Sequence, residues 1–126
     1  PPSLTLNEQA LHNAMEAIIA THPLISDIEV VVPDFVPGEI VLAVRVNGVL
    51  GRVRITVIDA GEFAMIQYMD ITVAGTAAPT EFVASINREL PILVIEALDA
   101  LFGNLGDLLS ITVSDGSINV VVLPSP

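Results

Sequence analysis

Apolar residues recur at helical spacing near the start of the chain. Met15 and Ile18 belong to a series of apolar positions three or four residues apart, with polar positions between them. Thr5 and Glu8 fit a capping box, in which a hydroxyl and a carboxylate each satisfy a free backbone N–H group. The pattern predicts a helix over residues 6–21.

The segments after this helix have the two-residue period of β-strands. Apolar and polar residues alternate in residues 26–32, 40–47, 52–58 and 63–73. On the first of these strands we expect Ile28, Val30 and Val32 to face inward, and Pro33-Asp34 to begin a loop. Asn47-Gly48 is typical of a tight hairpin turn. Because the connections are short, the four strands are predicted to form an antiparallel meander.

A second helix and a last hairpin complete the pattern. Thr80 is a plausible N-cap, and a broad apolar stripe runs from there to Gly103. Pro91 lies inside this stripe and should kink or split the helix, because it lacks an N–H group. Asp115-Gly116 then joins strand-like residues 110–114 and 118–123.

These elements predict a single α+β domain over residues 1–126. We expect a curved antiparallel sheet of about six strands with two helices on one face, in the order α-β-β-β-β-α-β-β. Each strand has one apolar face, so the helices would cover that face and enclose the core.

The composition is unusually aliphatic and acidic. Hydrophobic residues make up 52% of the chain, and its formal charge is −11 with only four cations, all arginine. An aliphatic excess is typical of a dense core, an apolar cavity or a surface hidden against a partner. Nucleic acid binding needs clustered cations, so the charge argues against it. Anionic membranes should repel the chain at long range, which restricts membrane contact to an apolar surface or to an anchor outside the chain.

The residue types favour a protein without catalysis. There is no cysteine, and His12 and His22 stand apart from any set of metal ligands. The carboxylates are scattered singly, whereas acid–base catalysis needs a pair in a cleft. No phosphate loop or nucleophile elbow is present in the sequence. We therefore expect no enzyme activity, no metal site and no cofactor.

Three of the four arginines lie on predicted strands. Arg45, Arg52 and Arg54 alternate with apolar residues, so they should share an outer face. Cross-strand pairing with Asp27 or Glu29 is one interpretation. A small cationic site for a phosphate headgroup is the other.

Three segments carry a family resemblance. The opening residues Leu4–Ala14, the strand Ile40–Val46 and the hairpin Asp115–Val120 after a long helix resemble bacterial phospholipid-binding proteins of the LmeA kind. More distantly, the order of elements is similar to the tubular lipid-binding superfamily. The resemblance implies a curved sheet wrapped around a long helix, with acyl chains held in the apolar gap. This chain departs from that pattern in its short length and in the proline that interrupts its second helix.

The resemblance and the apolar pattern together predict binding or carriage of a lipid or fatty-acyl chain in an apolar groove between helices and sheet. The predicted lining residues are Met15, Ile18, Leu42, Val44, Val57, Met65, Met69, Phe82, Ile86, Leu93 and Phe102.

The resemblance also implies a cell-envelope location, exported or membrane-anchored. No signal peptide is recognisable, but Pro1-Pro2-Ser3 has the composition of a linker, which leaves room for a removed signal or anchor.

The alternative is a non-enzymatic structural or interaction domain. Its core would be solid, and it would form a homodimer through apolar surface residues such as Val41, Val121 and Leu123.

Overall fold

The fold is known from a computed structural model that describes residues 3–60, 63–102 and 108–122. Within these ranges, the side chains of residues 57–60, 63–66, 68, 69, 108, 109 and 122 lie outside the description. The predicted α+β class is confirmed. The elements in chain order are β1 (Ser3–Asn7), α1 (Glu8–Thr21), β2 (Ile28–Val36), β3 (Glu39–Val46), β4 (Val49–Ala60), β5 (Phe63–Val73), β6 (Thr76–Ala77), α2 (Thr80–Phe102), β7 (Leu108–Ser114) and β8 (Ser117–Val122).

The strands form two antiparallel sheets rather than the single six-stranded sheet that was predicted. One sheet has the order β2-β3-β4-β5-β6, and the other has the order β1-β8-β7. The short strands β1 and β6 were not predicted. β1 pairs with β8 from the far end of the chain, with Leu6 opposite Ile118.

Two turns join the sheets through backbone hydrogen bonds. Gly38 N–H donates to the carbonyl of Val113 at 2.9 Å, and Gly116 N–H donates to the carbonyl of Phe35 at 3.0 Å. Both glycines have a positive φ, which an L side chain rarely adopts. Buried side chains from both sheets and both helices then belong to one hydrophobic core.

The first helix begins two residues later than predicted. Its N-cap is Asn7, whose side chain accepts a hydrogen bond from Ala10 N–H at 2.8 Å. Thr5 lies in β1 instead, where its hydroxyl accepts from the amide of Asn119 at 3.2 Å. The predicted capping box is therefore wrong, because β1 takes the segment that precedes the helix.

The predicted inner face of β2 is wrong beyond its first residue. A register shift between Ile28 and Val30 inserts Glu29 as an extra residue against β3. Such a bulge moves every later side chain to the opposite face. Val31 and Phe35 are consequently buried, whereas Val30 and Val32 are exposed.

β2 also continues through the segment that was predicted to be a loop. Pro33 pairs with Leu42 inside the strand, and β2 ends at Val36. A proline is tolerated there because β2 is an edge strand.

The second helix runs without a break from Thr80 to Phe102, with Pro91 inside it. The prediction that Pro91 would split it is wrong. Leu90 and Leu93 on either side of the proline are fully buried. Their packing offsets the lost backbone hydrogen bond, which costs about 3 kcal/mol in an exposed helix.

The pairing of β4 and β5 also shifts by one residue. Val53 pairs with Ile71 and Ile55 pairs with Tyr68, which leaves Met69 as an extra residue on β5. The single apolar face predicted along β5 therefore changes phase at Met69.

Candidate functional site

The structure brings most of the predicted lining residues into one cluster. Among the predicted residues, the buried members of the core are Met15, Leu42, Val44, Phe82, Ile86 and Leu93, while Ile18 and Phe102 are partly buried and pack against it. The side chains of Val57, Met65 and Met69 lie outside the described residues. The centre of the predicted groove is thus occupied by the core's own side chains.

A glycine allows the second helix to approach the larger sheet. Gly51 is buried on β4, and the ring of Phe82 lies directly against it. A methyl group at position 51 would lie 2.9 Å from Cε1 of Phe82 and 2.8 Å from the carbonyl oxygen of Thr72. The first turns of α2 are therefore held firmly on the sheet.

Burial changes along α2. As far as Leu93, the apolar stripe of Phe82, Ile86, Leu90 and Leu93 is buried. The helix is also apolar beyond Leu93, but there Ala97 alone is buried, and Ile95 is 61% exposed. We call this region the α2 apolar surface, and it consists of Val94, Ile95, Leu98, Leu101 and Phe102.

The residues of the α2 apolar surface are neighbours on the helix. Ile95, Leu98 and Phe102 follow at intervals of three and four residues, so their side chains form one stripe. On α1, which packs against α2, Ile18 and Ile19 are likewise only partly buried. The two helices thus present an incompletely covered apolar region beside the core.

A buried acid fixes the position of α2 against the loop before β2. Glu89 is 0% exposed. Its Oε1 accepts hydrogen bonds from the backbone N–H groups of Ser26, Asp27 and Ile28 at 3.1, 3.0 and 3.0 Å. The carboxylate thereby accepts hydrogen bonds from three consecutive backbone N–H groups. Hydrogen bonds of this kind are how a buried carboxylate is usually stabilised.

Asp27 extends this polar cluster toward the surface. Its carboxylate accepts from the hydroxyl of Ser85 at 2.7 Å and from the guanidinium of Arg88. The Ser85 hydrogen bond, followed by the nearby charge of Arg88, lowers the pKa of Asp27 below its ordinary value against the opposing effect of desolvation. Asp27 is therefore held in its ionised form.

A cleft of about 330 Å³ opens above this cluster. It lies between the first turns of α2 and the turn that joins β3 to β4, and its lining includes Asp27, Asn47, Phe82, Ser85 and Arg88. Two of its charged groups, Asp27 and Arg88, are already paired with each other. Of the predicted lining residues, only Phe82 contributes to it.

The arginines of the sheet are not paired as expected. Arg54 binds Glu39 at 2.5 Å and Asp70 at 2.9 Å, and the hydrogen bond to Asp70 is the main reason that the pKa of Arg54 is raised. Within the described ranges, Arg45 and Arg52 form no ion pair and are exposed.

The acids proposed as partners for these arginines bind elsewhere. Asp27 binds Arg88, and Glu29 accepts from Gly48 N–H at 2.6 Å. Pairing of the sheet arginines with Asp27 or Glu29 is therefore wrong.

His12 lies within α1 and His22 is its C-cap, and both side chains have partners. His12 contacts the carbonyl of Val31 through Nδ1 at 2.8 Å and the carboxylate of Glu16 through Nε2 at 3.1 Å. His22 accepts from Leu24 N–H at 3.1 Å and lies 3.5 Å from Glu96. In the part of the chain that the structure describes, no group of three or more histidine or acidic side chains is placed to hold a metal ion.

The residues proposed for a homodimer come from different elements, and the homodimer stays a prediction. Val41 lies on β3 of the larger sheet, and Val121 lies on β8 of the smaller sheet. Leu123 lies outside the described residues.

Sequence reasoning missed the Glu89 cluster and the α2 apolar surface as features. Glu89 follows Ile86 by three residues and precedes Leu93 by four, so it occupies a core position of the helical stripe. An acid at such a position signals a buried polar contact. The exposure of Ile95 could not be predicted in the same way. Its neighbours in the sequence are apolar or acidic, as they also are in a helix that packs against a core.

Comparison of the chain with protein-family models, curated proteins and solved structures found no match. Among the described residues, no helix has the length and apolarity needed to cross a bilayer. Functional inference therefore starts from the geometry of the chain itself.

Proposed function

We propose that this chain binds or carries a lipid or fatty-acyl chain, without catalysis, at the apolar region between its helices and its sheet. The proposal rests on the change in burial along α2. Its apolar stripe is buried in the core as far as Leu93, whereas beyond Leu93 a stripe of apolar side chains is partly open to solvent. A contiguous apolar surface of this kind favours an apolar ligand.

The ligand is proposed to lie on the α2 apolar surface and beside Ile18 and Phe102. Both residues belong to the predicted lining and are partly buried. The fully buried residues, such as Leu42 and Ile86, would form the floor rather than the wall of the site. Each methylene buried there contributes about 0.8 kcal/mol, so a chain of about a dozen carbons has useful affinity without a charged contact.

The sequence resemblance to phospholipid-binding proteins supports the same ligand class. It is also the support for a cell-envelope location, which we include in the proposal. The absence of paired catalytic groups in the sequence supports a binding role rather than a chemical one.

Two measurements test the proposal. The purified protein is extracted with organic solvent for mass spectrometry of bound lipids, and the delipidated protein is titrated with a fluorescent fatty acid. We expect saturable binding that weakens about tenfold in Ile95→Gln/Leu98→Gln, which is equivalent to losing roughly two buried methylenes. Val49→Gln is the matched control, because Val49 is 42% exposed and lies beside the first turns of α2, outside the α2 apolar surface.

An empty extract together with no saturable binding would rule out the proposal. Equal losses in Val49→Gln and in the α2 variant would show that the probe binds exposed apolar residues indiscriminately. If both lipid assays fail and sedimentation finds a dimer, the alternative of a homodimeric interaction domain is favoured.

A further inference from the structure

The outer face of the larger sheet carries an exposed patch that combines apolar and cationic side chains. Six large apolar side chains are exposed in the described ranges, and three of them lie in this patch. We define the outer patch as Val30, Val32, Arg45, Leu50 and Arg52.

The strand register places these residues side by side. Arg45 is paired with Val30 on one side and with Leu50 on the other. Arg52 lies in the next row, opposite Ala43. Arg45 and Arg52 are therefore diagonal neighbours, roughly 7–8 Å apart at the backbone, and their long side chains can reach one anionic group.

A groove of about 340 Å³ adjoins Arg52. Leu50, Arg52 and Thr72 line it, together with the backbone turn at Ala74 and Gly75. An apolar side chain, a guanidinium and a hydroxyl thus face the same space. This combination suits an amphiphile with an anionic headgroup better than it suits a fully polar anion.

The tip of the patch is held in a fixed conformation. Asn47 and Gly48 form a two-residue turn with positive φ at both positions, which places Val49 and Leu50 directly after it. Asn47 N–H donates to the carbonyl of Asp27 at 3.1 Å, and Gly48 N–H donates to Glu29 at 2.6 Å. The backbone at the tip therefore has its own partners, and apolar side chains can enter a lipid surface without exposing free N–H groups to it.

We propose that the outer patch docks the protein on the surface of an anionic lipid bilayer. The formal charge of −11 opposes approach at long range. At physiological ionic strength, however, charges farther than about 8 Å from the surface are largely screened. Arg45 and Arg52, half of the chain's cations, would then act next to the lipid phosphates while Leu50 and Val32 enter the interface.

Flotation with lipid vesicles tests this proposal. One set of vesicles contains phosphatidylcholine alone, and the other contains an equal share of phosphatidylglycerol. We expect binding to the anionic vesicles only, and a loss of about thirtyfold in Arg45→Gln/Arg52→Gln, since each arginine near such a surface contributes a factor of roughly five. Val32→Ser/Leu50→Ser should weaken binding by about tenfold.

The matched control is Asn13→Asp/Asn87→Asp, which lowers the net charge by the same amount at two exposed helical positions. It should bind like the unmodified protein. An equal loss in this control would attribute the effect to net charge, and the absence of binding to anionic vesicles would overturn the proposal, leaving the patch to an acidic protein partner. Since all of these residues are exposed, the variants should fold, which urea unfolding verifies.

The docking proposal and the acyl-binding proposal can be tested separately. The docking variants change only the outer face of the sheet, and the acyl-binding variants change only α2. Ile95→Gln/Leu98→Gln should therefore retain vesicle binding even if the fatty-acid titration fails.

Discussion

Oε1 of Glu89 accepts the backbone N–H of Ile28 at 3.0 Å, so that the middle of the second helix is tied to the first residue of β2. Both side chains are buried. The same oxygen also takes the N–H groups of the two preceding residues. This single carboxylate thus orients the helix whose far end carries the α2 apolar surface.

Truncation of Glu89 should destabilise the protein strongly. In Glu89→Ala three backbone N–H groups lose their acceptor inside the fold, and we expect the free energy of unfolding to fall by at least about 3 kcal/mol. Glu89→Gln keeps one acceptor oxygen and should lose less. Urea unfolding measures both, with Glu96→Gln as an exposed control that should change the value by less than about 0.5 kcal/mol. Equal stabilities for Glu89→Ala and Glu96→Gln would contradict the role assigned to the buried carboxylate.

Asp27 should make stability depend on pH. Its pKa is lower in the folded protein than in the unfolded chain, because Ser85 and Arg88 stabilise the carboxylate. The ionised group therefore contributes stability that is fully present above the unfolded pKa and is lost as the pH falls through the folded pKa. Asp27→Asn should be less stable than the unmodified protein at neutral pH, and the difference should shrink on acidification.

The measurement for Asp27 is a series of urea unfolding curves from neutral pH to the lowest pH at which both proteins fold. Asp99→Asn is the control, because Asp99 is an exposed aspartate on α2. A difference between Asp27→Asn and the unmodified protein that stays constant over this range would show that the ionised carboxylate is unimportant.

Gly51→Ala tests the close approach of α2 to the sheet. The new methyl group would overlap the ring of Phe82 and lie 2.8 Å from the carbonyl oxygen of Thr72. We expect a loss of about 1–3 kcal/mol in the free energy of unfolding, as for other overpacked sites. Phe82→Leu in the same chain should recover part of that loss, because it removes the ring but leaves the backbone contact. The steric interpretation fails if Gly51→Ala is as stable as the unmodified protein.

The sequence predicts much of this fold because most of its signals are local. Alternation and two-residue turns suffice for strands β3 to β5 and for the final hairpin. β1 had no such signal, since its partner Ile118 is more than a hundred residues away from Leu6. The alternation of apolar and polar residues gives no sign of the bulge at Glu29 either. The bulge nevertheless determines that Val31 is buried and Val32 is exposed.

The candidate sites were predictable to a smaller extent. Residues such as Leu42 and Ile86 follow from periodicity, and periodicity identifies core positions equally well whether or not a ligand binds there. The openness of the surface around Ile95 depends on how far the sheet and α1 extend along α2. The register also determines which arginine is paired, because it places Arg54 directly opposite Asp70 on β5.

Pro33 shows how the free edge of a sheet can be covered without an unpaired N–H group, and it leads to a last prediction. The outer edge of β2 is covered by α1: Val31 C=O contacts His12 at 2.8 Å, and Phe35 N–H donates to Glu8 at 2.6 Å. By the alternation of an antiparallel strand, residue 33 faces the same edge, where a proline presents no N–H group.

Pro33→Ala should therefore lower stability through two effects. It adds an N–H group to a covered edge, and it increases the conformational freedom of the unfolded chain. Together these should cost about 2 kcal/mol in the free energy of unfolding. Pro37→Ala lies in the exposed turn between β2 and β3 and should show only the second effect, about 0.4–1 kcal/mol. Equal losses in the two variants, measured by urea unfolding, would mean that the edge of β2 readily accommodates a further donor.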